Sequence, residues 1–403
     1  METLPVLISL LLASAFPMAG VITIKPNRVS PGEARYLLEL GYAGWVAPAL
    51  FLLVALAVIA GMVTGSRGRT SGAHLGGEHN ATQLRRRRVP LLLWAITLTV
   101  LPWIMVTLAA GRAAALGELG GIARFTPGAG TVLTMLAAVA AWHELNRTAR
   151  SHRIAGVLLV TVVIVVAILL VSGAWDSLAY VVEYRVRAER FWREARRHWM
   201  LAGTAVAVAS GIGVPAGMVA FRYPRIRESI LGITSTIQTV PSLAMFGLLI
   251  APLAALSRAM PQLRALGIAG VGTTPALIAL TLYALLPVVR NTLTALAFVP
   301  LDVRESGRAM GMQRRQQFWI VEVPLALPIV LRGVHTAAVQ AVGNTTVAAL
   351  IGAGGFGWFI FQGLGQAADD LVVLGVIPIV AMAVIVDRFF LVLHKTVDWR
   401  TRT

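Results

Sequence analysis

At 403 residues the chain has room for roughly two or three water-soluble domains, yet 57% of its residues are hydrophobic and only 13% are charged, with a mean hydropathy of +0.76. A soluble domain carries roughly 25% charged residues, and no soluble fold of this size could hide so much apolar side chain, so the solvent is a bilayer. Cysteine is absent, which excludes disulfides, thiolate metal sites, iron–sulfur clusters and cysteine nucleophiles together. The formal charge of +17 is almost wholly arginine, because lysine occurs only at Lys25 and Lys395. Neither lysine follows a glycine, so a GxxxxGK[ST] phosphate loop is excluded as well.

A helix crosses ~30 Å of hydrocarbon with about 20 apolar residues. Such runs lie at 3–23, 43–64, 91–110, 128–144, 154–174, 199–220, 229–254, 274–296, 326–352 and 370–392. Ala13-Ser14-Ala15 in the first has the form of a cleavage site, but Met1-Glu2 lacks the basic start of a signal peptide, which favours an uncleaved helix. Arginine-rich loops at 66–90, 144–153, 221–228 and 300–325, together with the tail carrying Lys395, Arg400 and Arg402, alternate with poorer ones. The positive-inside rule assigns all five to the cytoplasm, and ten spans with both ends inside satisfy every one of them.

Residues 180–198 oppose that count, since six arginines from Arg185 to Arg197 then fall outside. Glu183 and Arg187, and Glu189 and Arg193, have the i,i+4 order that supports a helix. Either an amphipathic helix lies at the interface there, or one N-terminal span is miscounted. The pattern therefore predicts an all-α polytopic membrane protein. It comprises an N-terminal multi-span extension (1–175), an arginine-rich linker helix (176–198), a second membrane domain (199–395) and a cytoplasmic tail (396–403). The second domain is dense in Pro, Gly, Ser, Thr and Gln, which are tolerated at membrane depth where they face protein or a water-filled path.

Several chemistries are missing. No Asp or Glu lies between Glu228 and Asp302 or between Glu322 and Asp369, so a proton or sodium relay lacks its carboxylates. Asp387, the one acid inside a span of the second domain, sits beside Arg388 and is expected to pair locally. His143-Glu144 lacks the second histidine of HExxH, the other histidines show no metal-ligand spacing, and Ser210 has no base nearby to activate it. The sequon at Asn80 falls in a cytoplasmic loop, and the Arg85 to Arg88 run reads as a topology anchor rather than a nucleic-acid site. Gly352-Ala353-Gly354-Gly355-Phe356-Gly357, with no lysine and no preceding strand, reads as a sharp turn for close helix approach.

One cytoplasmic loop carries a positive signal. Glu305-Ser306-Gly307-Arg308-Ala309-Met310-Gly311 is followed by Val321, Val323 and Pro324, with glycine six and proline nineteen residues after the glutamate. A short helix at 302–312 has small residues at Ser306, Gly307 and Gly311 for close approach, and Ala309, Met310 and Met312 as anchors for a partner's groove. This spacing resembles the EAA loop of ABC importer permeases, with Ser306-Gly307 in place of two alanines. Gly213 to Gly217, Ile237 to Ala244, Leu282 to Thr292 and Ala349 to Gly357 look like blocks of the permeases of glycine betaine/choline-type osmoprotectant importers. The resemblance covers about 198–395 and implies a five-helix type I importer core, here preceded by about five further transmembrane helices.

It also implies a multi-pass protein of the bacterial inner membrane, working with two copies of an ABC ATPase that binds the ATP. A second permease, identical or paralogous, and a periplasmic or lipid-anchored substrate-binding protein complete the set. No metal, cofactor or nucleic acid enters, and membrane lipid is the remaining contact. Glu305, Ser306, Gly307, Arg308, Ala309, Met310, Gly311, Met312 and Pro324 of the loop 302–324 would couple the chain to the ATPase, with Arg308 and Arg314 at the rim. Gln238, Thr239, Pro241, Ser242, Tyr283, Asn291 and Asn344 would line the path, and Arg290 would be either a gate or a snorkelling anchor. A permease of the same fold for methionine or another amino acid, and a non-transporting membrane scaffold or sensor, are the competing readings.

Overall fold

The structure is a computed structural model and describes residues 20–26, 32–36, 103–111, 113–115, 123–129, 131–137, 166–265 and 267–400. The spans expected at 43–64, 91–110, 128–144 and 154–174, the question of the first segment's cleavage, Asn80 and the Arg85 to Arg88 run lie wholly or partly outside those residues. The chain divides into two compact units, Met1–Arg185 and Val186–Thr403.

The first unit holds a small sheet that hydropathy does not announce. Strands β1 (Ile22–Lys25), β2 (Glu33–Arg35) and β3 (Arg124–Pro127) pair antiparallel in the order β2-β1-β3. Ile22 faces Arg35 on one side and Pro127 on the other, and Phe125 adds a bridge to Leu178. The run 3–23, expected to be helical to its end, thus finishes in a strand. Ile22, Thr23, Ile24 and Lys25 alternate between buried and half-buried, a period-two pattern masked by the apolar residues before it. These segments come from the loops after the first, third and fifth expected spans, and the arginine pattern puts all three loops on one side of the membrane. Beside the sheet, helix α1 (Ala179–Val186) supplies Glu183, which is buried and ion-paired to Arg124 at 2.8 Å.

The second unit is helical throughout its described residues. Its elements are α2 (Ala188–Arg222), α3 (Pro224–Thr239), α4 (Ser242–Ala259), α5 (Pro261–Ala265), α6 (Thr273–Ala297), α7 (Leu301–Ala309), α8 (Val323–Ala348), α9 (Gly357–Gly365) and α10 (Asp369–Arg400). A single turn, Arg314–Gln316, and a π-helix, Gln317–Glu322, lead into α8. Among the described residues, five stretches are long and apolar enough to span a membrane: Ala188–Arg222, Ser242–Ala259, Thr273–Ala297, Arg314–Ile351 and Asp369–Val397.

Two boundaries differ from the sequence reading. The arginine-rich segment is not one interfacial helix: α1 stops at Val186, and residues from Ala188 onward run unbroken into the membrane span as α2. The expected span 229–254 is interrupted at Val240-Pro241. Proline has no N–H to donate and drives the residue before it out of the α region, and Val240 is accordingly extended at φ −71° and ψ 127°.

Helices α2, α6 and α8 form the centre, with buried contacts in three layers. An outer layer contains Leu201, Phe246, Leu280 and Ile351, a middle layer Ala209, Ala284, Val288 and Ala337, and an inner layer Leu296, Val299 and Ala326 with Phe221 and Phe318 packed on it. Small residues allow this proximity. A Cβ at Gly213 or Gly217 would strike Val288 or Thr292 of α6, and one at Gly333 would strike Asn291.

Candidate functional site

Two sites emerge in this unit, an elbow within the helix bundle and the short exposed helix α7 at one end of it. The elbow follows from two prolines. Pro287, inside α6, has no N–H for the carbonyl of Tyr283 one turn earlier. The Nε2 of Gln238, on the last turn of α3, donates to that carbonyl at 2.8 Å. In return the Tyr283 hydroxyl donates to the carbonyl of Val240 at 2.5 Å, at the point where Pro241 interrupts the helix. Each break in helical bonding is filled from the opposite element, and an unfilled buried carbonyl would cost ~1–3 kcal/mol. Gln238, Pro241 and Tyr283, chosen from the sequence separately, therefore meet in one structure built of neutral hydrogen-bonding groups.

The other path residues are not tied to the elbow by side-chain hydrogen bonds among the described residues. Thr239 turns back onto the carbonyl of Thr236 at 2.7 Å, and Ser242 begins α4 half-buried. Asn291 donates to the carbonyl of Pro287 at 2.8 Å while packing beneath Gly333 of α8. Arg290 is exposed, and Asn344 is half-buried on α8.

The short helix α7 is built to end abruptly. Gly311 adopts φ +79°, a left-handed conformation that glycine reaches without penalty. The Gly311 N–H donates to the carbonyl of Arg308 at 2.9 Å and the Met312 N–H to that of Gly307 at 3.1 Å, which closes the helix with a Schellman turn. Glu305, Ser306, Arg308, Ala309, Met310 and Gly311 are exposed, and Met310 retains 75% of its surface. Gly307 faces inward against Gln317, and Met312 is half-buried. Pro324 sits in the first turn of α8, where its missing N–H coincides with the end of the π-helical winding.

Two residues overlooked in the sequence hold this helix in place. Arg304 donates to the carbonyl of Leu296 at the end of α6 (2.6 Å), lies 3.5 Å from Glu322, and stacks 5.1 Å from the Phe221 ring of α2. Gln317, buried at the start of the π-helix, donates to the carbonyl of Arg304 at 2.9 Å. In the sequence Arg304 is one more arginine of the loop 300–325, whereas its contacts one residue before Glu305 fix the inner face of α7.

At the opposite end the glycine-rich run is the turn its composition suggests, with Gly352, Gly354 and Gly355 all at positive φ. Its amides are held by α2: Gly355 N–H donates to Glu194 Oε2 at 2.8 Å, and Phe356 N–H to His198 Nδ1 at 3.2 Å. His198 Nε2 lies 2.9 Å from the carbonyl of Val342, so the ring is held as the tautomer with its proton on Nε2. Glu194 and His198 are fully buried, and no local motif distinguishes them. Asp387 does not take Arg388 as its partner. It pairs with His335 of α8 at 3.1 Å, because residues adjacent on a helix point about 100° apart while α8 packs alongside.

The fold and these sites define a polytopic membrane protein whose third and fourth spans of this unit are joined by a short exposed helix. Residues 209–399 match the family described as binding-protein-dependent transport system inner membrane component, and residues 2–181 match the N-terminal domain described for the ABC transporter permease YehY. Similar chains include the osmoprotectant import permease protein OsmW of Salmonella typhimurium, 38% identical over 191 residues, covering 47% of this chain and 84% of the relative. The carnitine transport permease protein OpuCB of Listeria monocytogenes is likewise 38% identical, over 47% and 80%. The glycine betaine/carnitine/choline permease OpuCD of Bacillus subtilis is 35% identical, over 48% and 79%. A solved structure of the inward-facing MetNI methionine ABC transporter aligns with a TM-score of 0.46 at 19% identity, over 52% of this chain and 97% of that one. The chain belongs to the binding-protein-dependent transport system inner membrane component family, the ABC permeases whose ATPase is a separate subunit.

Proposed function

We propose that the chain forms the membrane passage of an importer for quaternary-amine osmoprotectants such as glycine betaine, choline or carnitine. The observation that carries the reading is the shared chemistry in the names of relatives that are 35–38% identical. The neutral elbow fits it: amide, hydroxyl and carbonyl groups give a permanently charged cation no carboxylate to stick to. Cation recognition then rests with a separate binding protein, where aromatic faces can cage the ammonium group.

Transport is by alternating access. ATP is bound by two copies of a motor subunit, whose grooves receive Glu305, Ser306, Ala309, Met310 and the turn at Gly311 of α7 from each of two permease chains. Motion of that helix passes through Arg304 to the end of α6 and through Gln317 to the π-helix and α8, which reorients the spans as rigid bodies. Gln238, Thr239, Pro241, Ser242, Tyr283, Asn291 and Asn344 face the passage, with Arg290 near its inner end. The test is uptake of radiolabelled betaine, choline and carnitine under hyperosmotic stress in a strain lacking the gene. ATP-dependent accumulation of one of these solutes on complementation is the expected result. Restored uptake of methionine or histidine with no quaternary amine transported overturns the substrate assignment.

A further inference from the structure

We propose that the permease holds the headgroup phosphate of an anionic phospholipid in an arginine-walled pocket at its cytoplasmic end. The cavity, about 650 Å³, opens between the last turn of α2, the inner stripe of α7 and the segment Arg314–Glu322. Five arginines line it, namely Arg222, Arg304, Arg308, Arg314 and Arg315, against the single acid Glu322. Glu322 is committed to Arg304 at 3.5 Å. Among the described residues, no carboxylate lies within ion-pair distance of the other four. These four are exposed arginines gathered around one cavity, and their planar forks suit phosphate oxygens.

The composition of the walls selects a lipid. The lining is apolar at Met218 and Phe318, each four residues toward the membrane span from Arg222 and Arg314, while Trp319 and Tyr223 are more than half exposed. Arginine forks and apolar side chains in one cavity suit a headgroup phosphate with its acyl chain. The pocket borders the surface offered to the motor, where Arg308 and Arg314 stand exposed at the rim. Arg304 and Arg308 are i,i+4 on one stripe of α7, whereas Glu305, Ala309 and Met310 do not line the cavity. A lipid seated there touches the helix that transmits ATPase motion from its inner side, so membrane composition would bear on coupling. The proposal rests on the permease reading only in taking this end as cytoplasmic.

The experiment compares the assembled transporter with its Arg222→Gln/Arg315→Gln variant. Both are reconstituted in phosphatidylcholine nanodiscs with one third phosphatidylglycerol, and retained lipids are counted by native mass spectrometry after release into detergent. The wild type should retain phosphatidylglycerol selectively, and the variant's affinity should fall roughly 25-fold, at about fivefold per arginine. Arg222→Lys/Arg315→Lys, which keeps the charges but not the forks, should fall in between. Equal retention by wild type and the Gln variant overturns the site, as does loss of the ATPase subunits from that variant, since the arginines would then belong to the motor interface. Binding of inorganic phosphate to the lipid-free complex as tight as that of phosphatidylglycerol overturns the lipid assignment. If the Gln variant does not assemble, the wild type alone decides: no preference for phosphatidylglycerol over phosphatidylcholine sinks the proposal. A complex that retains phosphatidylglycerol yet imports no quaternary amine leaves the pocket standing and removes only the substrate reading.

Discussion

The two ends of the permease unit are held by opposite means. At the outer end, Glu194 and His198 are buried to 1% and 0% exposure and grip successive backbone amides of the 354–356 turn, with Arg190 stacked 3.5 Å over Trp358 beside them. At the inner end, a nine-residue helix lies largely exposed and is attached through Arg304 and Gln317. A buried polar network has one good arrangement and loses several bonds at once when disturbed. A helix hung on two side chains can shift as a body and carry its neighbours with it. On the proposed mechanism the α7 end is the moving part and the 354–356 turn a fixed joint.

The largest effect should come from breaking the movable end. Glu305→Ala with Gly311→Ala removes the exposed acid and forces a side chain into left-handed backbone at ~1–2 kcal/mol. Solute uptake should fall to background with the amount of permease in the membrane unchanged, and normal uptake by the double variant would refute the coupling role. Next is the fixed joint: Glu194→Ala strands the Gly355 N–H in a buried site, which should cost about 2 kcal/mol. Thermal unfolding of the purified permease should show a lower midpoint, while ATPase subunits still co-purify; loss of the ATPase with an unchanged midpoint would erase the distinction between the ends.

The elbow between the two ends gives a smaller and more diagnostic change. Gln238→Leu should destabilise by about 1–2 kcal/mol through the stranded Tyr283 carbonyl. In a Pro287→Ala background, where residue 287 regains an N–H for that carbonyl, the same substitution should cost little. A double-mutant cycle on unfolding measures the difference, and equal costs in both backgrounds would show that Gln238 does not stand in for the missing amide. The smallest effect is expected at Glu189→Ala. Its carboxylate is 95% exposed and 3.7 Å from Arg193, so less than about 0.5 kcal/mol should be lost.

Much of this architecture is visible in the sequence for identifiable reasons. Helices that face lipid must be apolar along their length, so runs such as 274–296 declare themselves, and the glutamate, glycine and proline around α7 sit at spacings that turn chemistry dictates. Pro241 is in plain sight as well, but a hydropathy window averages across it, and so hydropathy alone runs through the interruption between α3 and α4. The partners of Glu194, His198 and Asp387 lie about 50 to 160 residues away in sequence. No local pattern encodes such a pairing, because it is created by helix packing. Arginine near a membrane has an ordinary use as a topological anchor, and only the geometry shows the second use of Arg304.

The sheet of the N-terminal unit has a consequence for how the protein is made. Its central strand at Ile22 is complete only when Pro127 arrives to pair with it, about a hundred residues later in synthesis. At roughly 5–20 residues per second that interval is on the order of ten seconds, during which β1 has an open backbone edge available to other chains. Closing that edge requires the segments bearing β1 and β3 to emerge on the same side of the bilayer, so the sheet can form only when the chain between them is threaded to match.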